Sequence, residues 1–486
     1  MRVLTLVHRW LGIVFCLLFA MWFASGMVMH FVPFPSLTEI ERIAGLAPVE
    51  ASLDLRSPGD AAGTVKDAAR VRLLQRVDRP VYVVLGPIGV KAFGAADLSD
   101  ASVQSEELAR AIAVDHARRR KMDVTRAAFA ELLTVDQWTV GDAFNRHRPL
   151  YRVALNDAAG TDLYVSSVTG DVVGDTTRRE RTWNYVGSVA HWIYPTVLRS
   201  RTEIWNAAVW SLSLGALITA LAGSLLGMIR FVAGGIGSPY RGWHKWHHLL
   251  GLACMAFLVS WSFSGWLSVD SGRLFSTGAL TAGETARVAS VPAWNDLSKT
   301  EWRPSAKEGT REIEWFAFDR KFYRRERTGL ETQRLFAIGA EAPATKAFLG
   351  ADEITRFVDR LAPQCDAPTV IAADDNYAIV SAMPGAPVFR SVCSDIWYHI
   401  DAASGVILER SDPSSRAYRW LYGALHRLDV PALNARPLLR TGLIVTLCGC
   451  GLVFSLTGIV IGWRRLRVRG LDRVPAAPVD PSHPGG

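Results

Sequence analysis

Eleven histidines are spread unevenly along the 486 residues, and their positions are the first sign of chemistry. His8, His244, His247 and His248 stand at one end of apolar stretches, and His30, His191 and His426 at or near the other end. Taken alone, any one of them reads as an interfacial anchor, since His tolerates the headgroup zone, although ionisable side chains at membrane depth are costly and usually functional. Pairs mean more. Two neutral imidazoles facing each other across a gap between helices are what six-coordinate haem iron requires, and helix-bundle interiors hold such groups. His8 with His247 would form an inner pair, and His191 with His426 an outer one, making sites for two b-type haems. The 22 positions from His8 to His30 cover roughly 33 Å of helix, so one helix reaches both levels. His30 remains open as an outer ligand, and His244 or His248 as an inner one. A zinc or copper site in His244-Lys245-Trp246-His247-His248 is also conceivable, but thiolate and acidic partners are missing nearby. His116, His147 and His399 read as ordinary surface or sheet residues.

The elements that position these histidines are membrane spans. A span needs about 20 mainly apolar residues, and four stretches qualify, within residues 1–31, 208–232, 248–269 and 441–463. The first is longer than a usual signal-peptide core, and its pattern recurs in the third. Arg230, Arg241 and Lys245 lie in or beside the short connector 233–247, and Arg464, Arg465, Arg467 and Arg469 open the tail 464–486. Basic residues next to spans stay on the cytoplasmic side, which predicts a multi-pass protein of the bacterial inner membrane with both termini cytoplasmic. Segments 32–207 and 270–440 are then extracytoplasmic. The net charge of +8 is partly this topogenic surplus, and no nucleic acid is expected as a partner. Cys16, Cys254, Cys448 and Cys450 fall in spans as small packing residues, while Cys365 and Cys393 are placed to form one disulfide in an oxidising compartment.

An internal duplication organises the whole chain. At a shift of 235 residues, His191 falls on His426, Gly223 on Gly458, Gly227 on Gly462 and Arg230 on Arg465; at a shift of 239, His8 falls on His247 and Ser25-Gly26 on Ser264-Gly265. Both halves run in the same direction, so the expected fold is an α-helical membrane protein with four transmembrane helices in two parallel repeats. A pseudo-two-fold axis along the membrane normal would relate them. Gly223-x-x-x-Gly227 and Gly458-x-x-x-Gly462 read as close helix contacts. Each extracytoplasmic segment reads as an α+β module: helix over 106–120 and strands over 150–155 and 162–167 in the first, helix over 351–361 and a strand over 396–400 in the second. Residues 275–345 suggest several strands without a register.

His8-Arg9-Trp10-Leu11-Gly12, Ser25-Gly26, Gly187-Ser188-Val189-Ala190-His191, Tyr422-Gly423-Ala424-Leu425-His426 and the Thr169-Gly170-Asp171 turn together resemble the PepSY-associated transmembrane family, over about residues 1–470. The resemblance implies two PepSY-like domains outside the membrane, haem bound between the helices, and reduction of a ferric siderophore or other ferric chelate on the outer side. No flavin-reductase domain follows the last span, so a separate donor, membrane quinol or a cytoplasmic reductase, would supply electrons. Two other readings stand beside this one: a PepSY-type regulatory or binding protein without redox activity, which would be colourless, and a metal-chelate transporter, against which the absence of a Pro-broken or acidic span counts.

Overall fold

The computed structural model describes residues 1–471 apart from 51–53, 127, 235–236, 271–272, 289–291, 298–301, 305–306 and 340–344, with side chains to Arg467 in the last helix. Both halves run through the same order of elements. In the first, helix α1 (Arg2–Phe31) leads to strands β1 (Arg70–Gln75), β2 (Pro80–Leu85) and β3 (Val90–Gly94). Helix α2 (Glu106–Arg119), strands β4 (Phe129–Leu133), β5 (Leu150–Ala154), β6 (Asp162–Ser166) and β7 (Val172–Thr176), and helix α3 (Thr202–Ala233) follow. The second runs from helix α4 (Gly242–Leu267) through β8 (Glu312–Phe318), β9 (Lys321–Arg327) and β10 (Gln333–Ala337) to helix α5 (Ala351–Leu361). It closes with β11 (Thr369–Val370), β12 (Val388–Cys393), β13 (Ile396–Asp401), β14 (Ile407–Ser411) and helix α6 (Pro437–Leu471).

Helices α1, α3, α4 and α6 are long and apolar enough to cross a membrane. They outrun the apolar stretches of the sequence because Trp, His and Arg at their ends lower hydropathy without breaking a helix. α4 begins at Gly242, six residues before the apolar stretch, so the histidines from His244 to His248 ride on its first two turns rather than in a connector. α1 and α4 each pack against α3 and α6 and stand diagonally opposite one another. Phe23, Cys254 and Leu258, with Phe19, Phe257 and Trp261, fill the space between them. Gly451 is required there, since a Cβ at that position would lie 2.6 Å from the Phe23 ring.

Outside the bundle the two halves are not separate domains. Strands β1 and β8 pair antiparallel, with Arg72 opposite Glu314, and join the two meanders into one six-stranded sheet of order β10-β9-β8-β1-β2-β3. The join covers an edge of each meander that would otherwise present unpaired backbone groups. One face carries Val71, Leu73, Tyr82, Ile313 and Trp315 into an apolar core. On the other face, Arg42 and Arg72 bind Glu312 at 2.8 and 3.3 Å, and Arg325 binds Glu314 at 2.7 Å. Burial alone would raise the Glu312 carboxyl; the Arg42 and Arg72 charges hold it well below the usual carboxylate range.

Each half also builds a four-stranded antiparallel sheet, β4-β5-β6-β7 and β11-β12-β13-β14. α2 lays Ala109, Ile112, Ala113 and Ala117 against Val153, Leu163 and Val165, and α5 lays Ile354, Val358 and Leu361 against Phe389, Tyr398 and Ile400. The last turn of each sheet plugs into the charged face of the joined sheet. Asp171 accepts from Arg72 at 2.6 Å, and the Ser404 carbonyl accepts from Arg70 at 2.8 Å. Gly170 and Gly405 have φ of +76° and +68°, and a Cβ on Gly405 would lie 2.6 Å from Phe318, so these turns need glycine both for backbone shape and for close docking. Cys365 and Cys393 are disulfide-bonded. Of the histidines read as surface or sheet residues, His399 is a sheet residue and is buried, and His116 is buried on α2. His116 packs into a space that exists because residue 45 is glycine, and His399 lies on β13 between Arg390 (2.9 Å) and Glu409 (3.0 Å).

Candidate cofactor site

Four histidines meet as two pairs inside the bundle. The ring centroids of His8 and His247 are 6.3 Å apart, and those of His191 and His426 are 6.2 Å apart. Each outer histidine follows a capped helix and a widened π turn. Thr177 caps the helix Arg178–Asn184 before the π turn Tyr185–Val189, and Asp412 caps Pro413–Tyr418 before Arg419–Ala424. An inserted residue of this kind shifts the helical register, which re-aims the side chains that follow, and π turns recur at functional sites. Nothing in the sequence pattern announced them. The returning segments are then pinned to the spans by tryptophans: Trp22 Nε1 donates to the His191 carbonyl and Trp261 Nε1 to the Leu425 carbonyl, both at 2.9 Å.

Hydrogen bonding fixes the tautomer of all four rings. His8 Nδ1 lies 3.3 Å from the Thr219 carbonyl, which can only accept. His247 Nδ1 lies 2.9 Å from Thr457 Oγ1, whose own proton goes to the Phe454 carbonyl. His191 and His426 each place Nδ1 3.1 Å from a serine hydroxyl, Ser25 and Ser264, and these hydroxyls donate back into their own helices. Every Nδ1 therefore carries the proton, and every Nε2 carries a lone pair. Among the described residues no Nε2 of the four has a hydrogen-bond partner. This is the tautomer of a metal-ligating imidazole with its outer-shell partner in place.

Glycines cut the cradles. A Cβ at Gly223 would lie 2.5 Å from His8 Cε1, and one at Gly458 would lie 3.5 Å from His247 Cε1. At the other level, Cβ atoms at Gly26 and Gly265 would each lie 3.3 Å from the rings of His191 and His426. Gly223, the first glycine of its G-x-x-x-G motif, thus admits a histidine ring, a role that the reading as helix contact alone did not anticipate, whereas its repeat partner Gly458 stands at an ordinary contact distance from His247. The inner pair opens into a cavity of about 390 Å³ between the helices, within the range of about 300–1,000 Å³ typical of pockets that hold cofactors.

The remaining histidines are placed otherwise. His30 Nε2 is engaged with Thr441 Oγ1 at 2.9 Å. His248 uses both nitrogens, Nε2 to the Gly227 carbonyl at 2.9 Å and Nδ1 to Ser238 at 3.0 Å, so its ring fastens the connector to α3 and offers no lone pair to a ligand. His244 lines the cavity beside Tyr240. Among the described residues, no three His, Cys, Asp or Glu side chains converge on a metal-ion position.

Four apolar helices with paired, tautomer-fixed imidazoles between them, tied to antiparallel sheets at one end, define a helix-bundle membrane protein. The chain belongs to the family described as PepSY-associated TM region, whose model matches residues 5–465. No curated protein matches it.

Proposed function

We propose that this protein is a di-haem electron carrier of the bacterial inner membrane that reduces a ferric siderophore, or another ferric chelate, on the extracytoplasmic side. The observation that carries the reading is the repeated imidazole spacing. An imidazole bound through nitrogen puts its ring centre roughly 3.1 Å from the metal, about 2.0 Å of bond and about 1.1 Å of ring. Two such rings in line stand about 6.2 Å apart, which agrees with 6.3 and 6.2 Å here. His8 with His247, and His191 with His426, would hold two b-type haems; His30, His244 and His248 would not. Bound in this way, haem iron accepts and gives single electrons while keeping both ligands.

The chain's own residues supply the rest. Thr219, Thr457, Ser25 and Ser264 hold the Nδ1 protons and so keep the ligand nitrogens basic and oriented. From His8 to Ser25, and from His247 to Ser264, the helices advance 17 residues, roughly 25 Å, which separates the two levels across most of a bilayer. The matched contacts of the two halves and the antiparallel β1–β8 join support the pseudo-two-fold arrangement, and the basic ends of α3 and α6 support cytoplasmic termini. Electrons would then enter at the inner pair from quinol or a cytoplasmic reductase and leave at the outer pair. Reduction would release iron because Fe(II) is held poorly by oxygen-rich chelators.

The test is an absorption spectrum of the detergent-purified protein, oxidised and then reduced with dithionite. Bis-imidazole haem bands are expected, and His191→Ala or His426→Ala should remove about half of the haem per protein while the fold persists. A colourless protein, or an unchanged haem content in both variants, would refute the reading.

A further inference from the structure

Three arginines line the inner cavity: Arg9 of α1, Arg230 of α3 and Arg465 of α6. Arg9 falls on His248 at the shift of 239, whereas Arg230 and Arg465 are a matched pair, one from each half. Each follows the cradle glycine by seven positions, Gly223-Gly227-Arg230 and Gly458-Gly462-Arg465, a spacing that keeps all three on one helical face. The arginines therefore look into the cavity from the side that holds the His8 and His247 rings, about 10 Å nearer the helix ends. Their neighbours behave differently: Arg464 lies over Trp243 and Arg467 over Trp463, on the outside of the bundle. No Asp or Glu occurs in residues 1–38, 204–269 or 430–471, and Glu203 stands in the first turn of α3, at the opposite end of that helix from Arg230. Among the described residues, neither Arg230 nor Arg465 has a carboxylate partner. An otherwise largely apolar cavity with two matched guanidinium groups that have no carboxylate partner among the described residues is shaped for a flat apolar molecule bearing two negative charges along one edge.

We propose that Arg230 and Arg465 bind the two carboxylates of the porphyrin seated between His8 and His247, fixing its acid edge toward the open end of the cavity. This rests on the haem reading of the inner pair. A surplus of topogenic charge would explain arginines at the helix ends, but not why the matched pair lines the cavity while Arg464 and Arg467 turn away.

The experiment titrates haem-depleted protein, made in a His191→Ala background that leaves only the inner pair, with haemin and with haemin dimethyl ester, which lacks the two charges. Soret absorbance reads the binding. The arginines should favour haemin over the diester by about tenfold, and Arg230→Gln/Arg465→Gln should lose that factor for haemin while binding the diester as before. If the double variant does not fold, Arg465→Gln alone should lose about threefold. A variant that keeps the preference overturns the proposal. So does one that loses both probes equally, which would assign the arginines to lipid headgroups or to folding. Failure of both probes to bind the parent would instead sink the haem reading itself.

Discussion

Adding one methyl group at four glycines should produce a graded loss that follows the space around each histidine. At Gly223 the new carbon would lie 2.5 Å from His8 Cε1, against 3.3 Å for Gly26 and Gly265 and 3.5 Å for Gly458. Ordinary carbon contacts begin near 3.5 Å, so Gly223→Ala must push the His8 ring by about 1 Å, and the 3.3 Å bond from Nδ1 to the Thr219 carbonyl is too long to resist. A displacement that size is half of a metal–nitrogen bond of about 2.0 Å, so the ligand is lost rather than strained. Gly26→Ala and Gly265→Ala require about 0.2 Å each and should weaken the outer pair slightly and equally. Gly458→Ala, the repeat partner of Gly223, should be silent. Overpacking adds about 1–3 kcal/mol of destabilisation at Gly223 and little elsewhere.

The assay is haem per protein after purification, read beside a thermal unfolding midpoint that separates ligand loss from misfolding. Gly223→Ala should retain about half of the parent content, and Gly458→Ala all of it. Equal losses at Gly223 and Gly458 would refute the cradle argument, because the two positions share sequence context and differ only in clearance.

Removing the serine that holds an outer ring, by Ser25→Ala or Ser264→Ala, should weaken haem retention about 10–100-fold at the outer level and shift its midpoint potential, with the inner level unmoved; redox titration reads both. Glu312→Gln leaves Arg42, Arg72 and Arg327 facing a neutral group in a buried site, and should cost about 3–5 kcal/mol, visible as a lower unfolding midpoint. His116 is buried, and that burial, with the nearby Arg120 and Arg42 charges, pushes it down to about 4. Its unfolded value is near 6.5, so the unfolded chain binds the extra proton between those limits, and stability present above pH 6.5 is lost as pH falls toward 4. The loss amounts to roughly 3 kcal/mol. His116→Gln should flatten that pH dependence in denaturation at pH 7 and pH 5, and an unaltered slope would remove His116 as its source.

The sequence made the spans and the histidine pairs legible because both depend on spacing. Length and hydropathy define the spans, and two constant shifts align His8 with His247 and His191 with His426. The helix Ala351–Leu361 and the strands around Asn156–Gly160 were legible from period and turn residues. The join of β1 to β8 was not, because a strand pairing between residues about 240 apart has no local signal, and residues 275–345 suggested strands without a register. The choice among His30, His244, His247 and His248 was equally hidden. It turns on which ring nitrogen faces Gly227, Thr441 or Thr457, and no spacing encodes that.

The joined sheet explains how such spacing can hold at the outer level. His191 and His426 do not sit on spans; each hangs on a returning segment that follows β7 or β14. If the two modules were tethered only by the helices, loop freedom would spread the distance between the rings. Here β7 and β14 are tied through the Thr169–Asp171 and Ser404-Gly405 turns to Arg72 and Arg70, neighbours on one strand. That strand is hydrogen-bonded directly to the other half. Both imidazole rings are thereby referred to a single frame, and the tryptophan bonds from Trp22 and Trp261 lock the same segments onto α1 and α4. A metal site needs its ligands positioned within about 0.5 Å before the metal arrives, and a frame crossing the halves meets that demand where two independent domains would not.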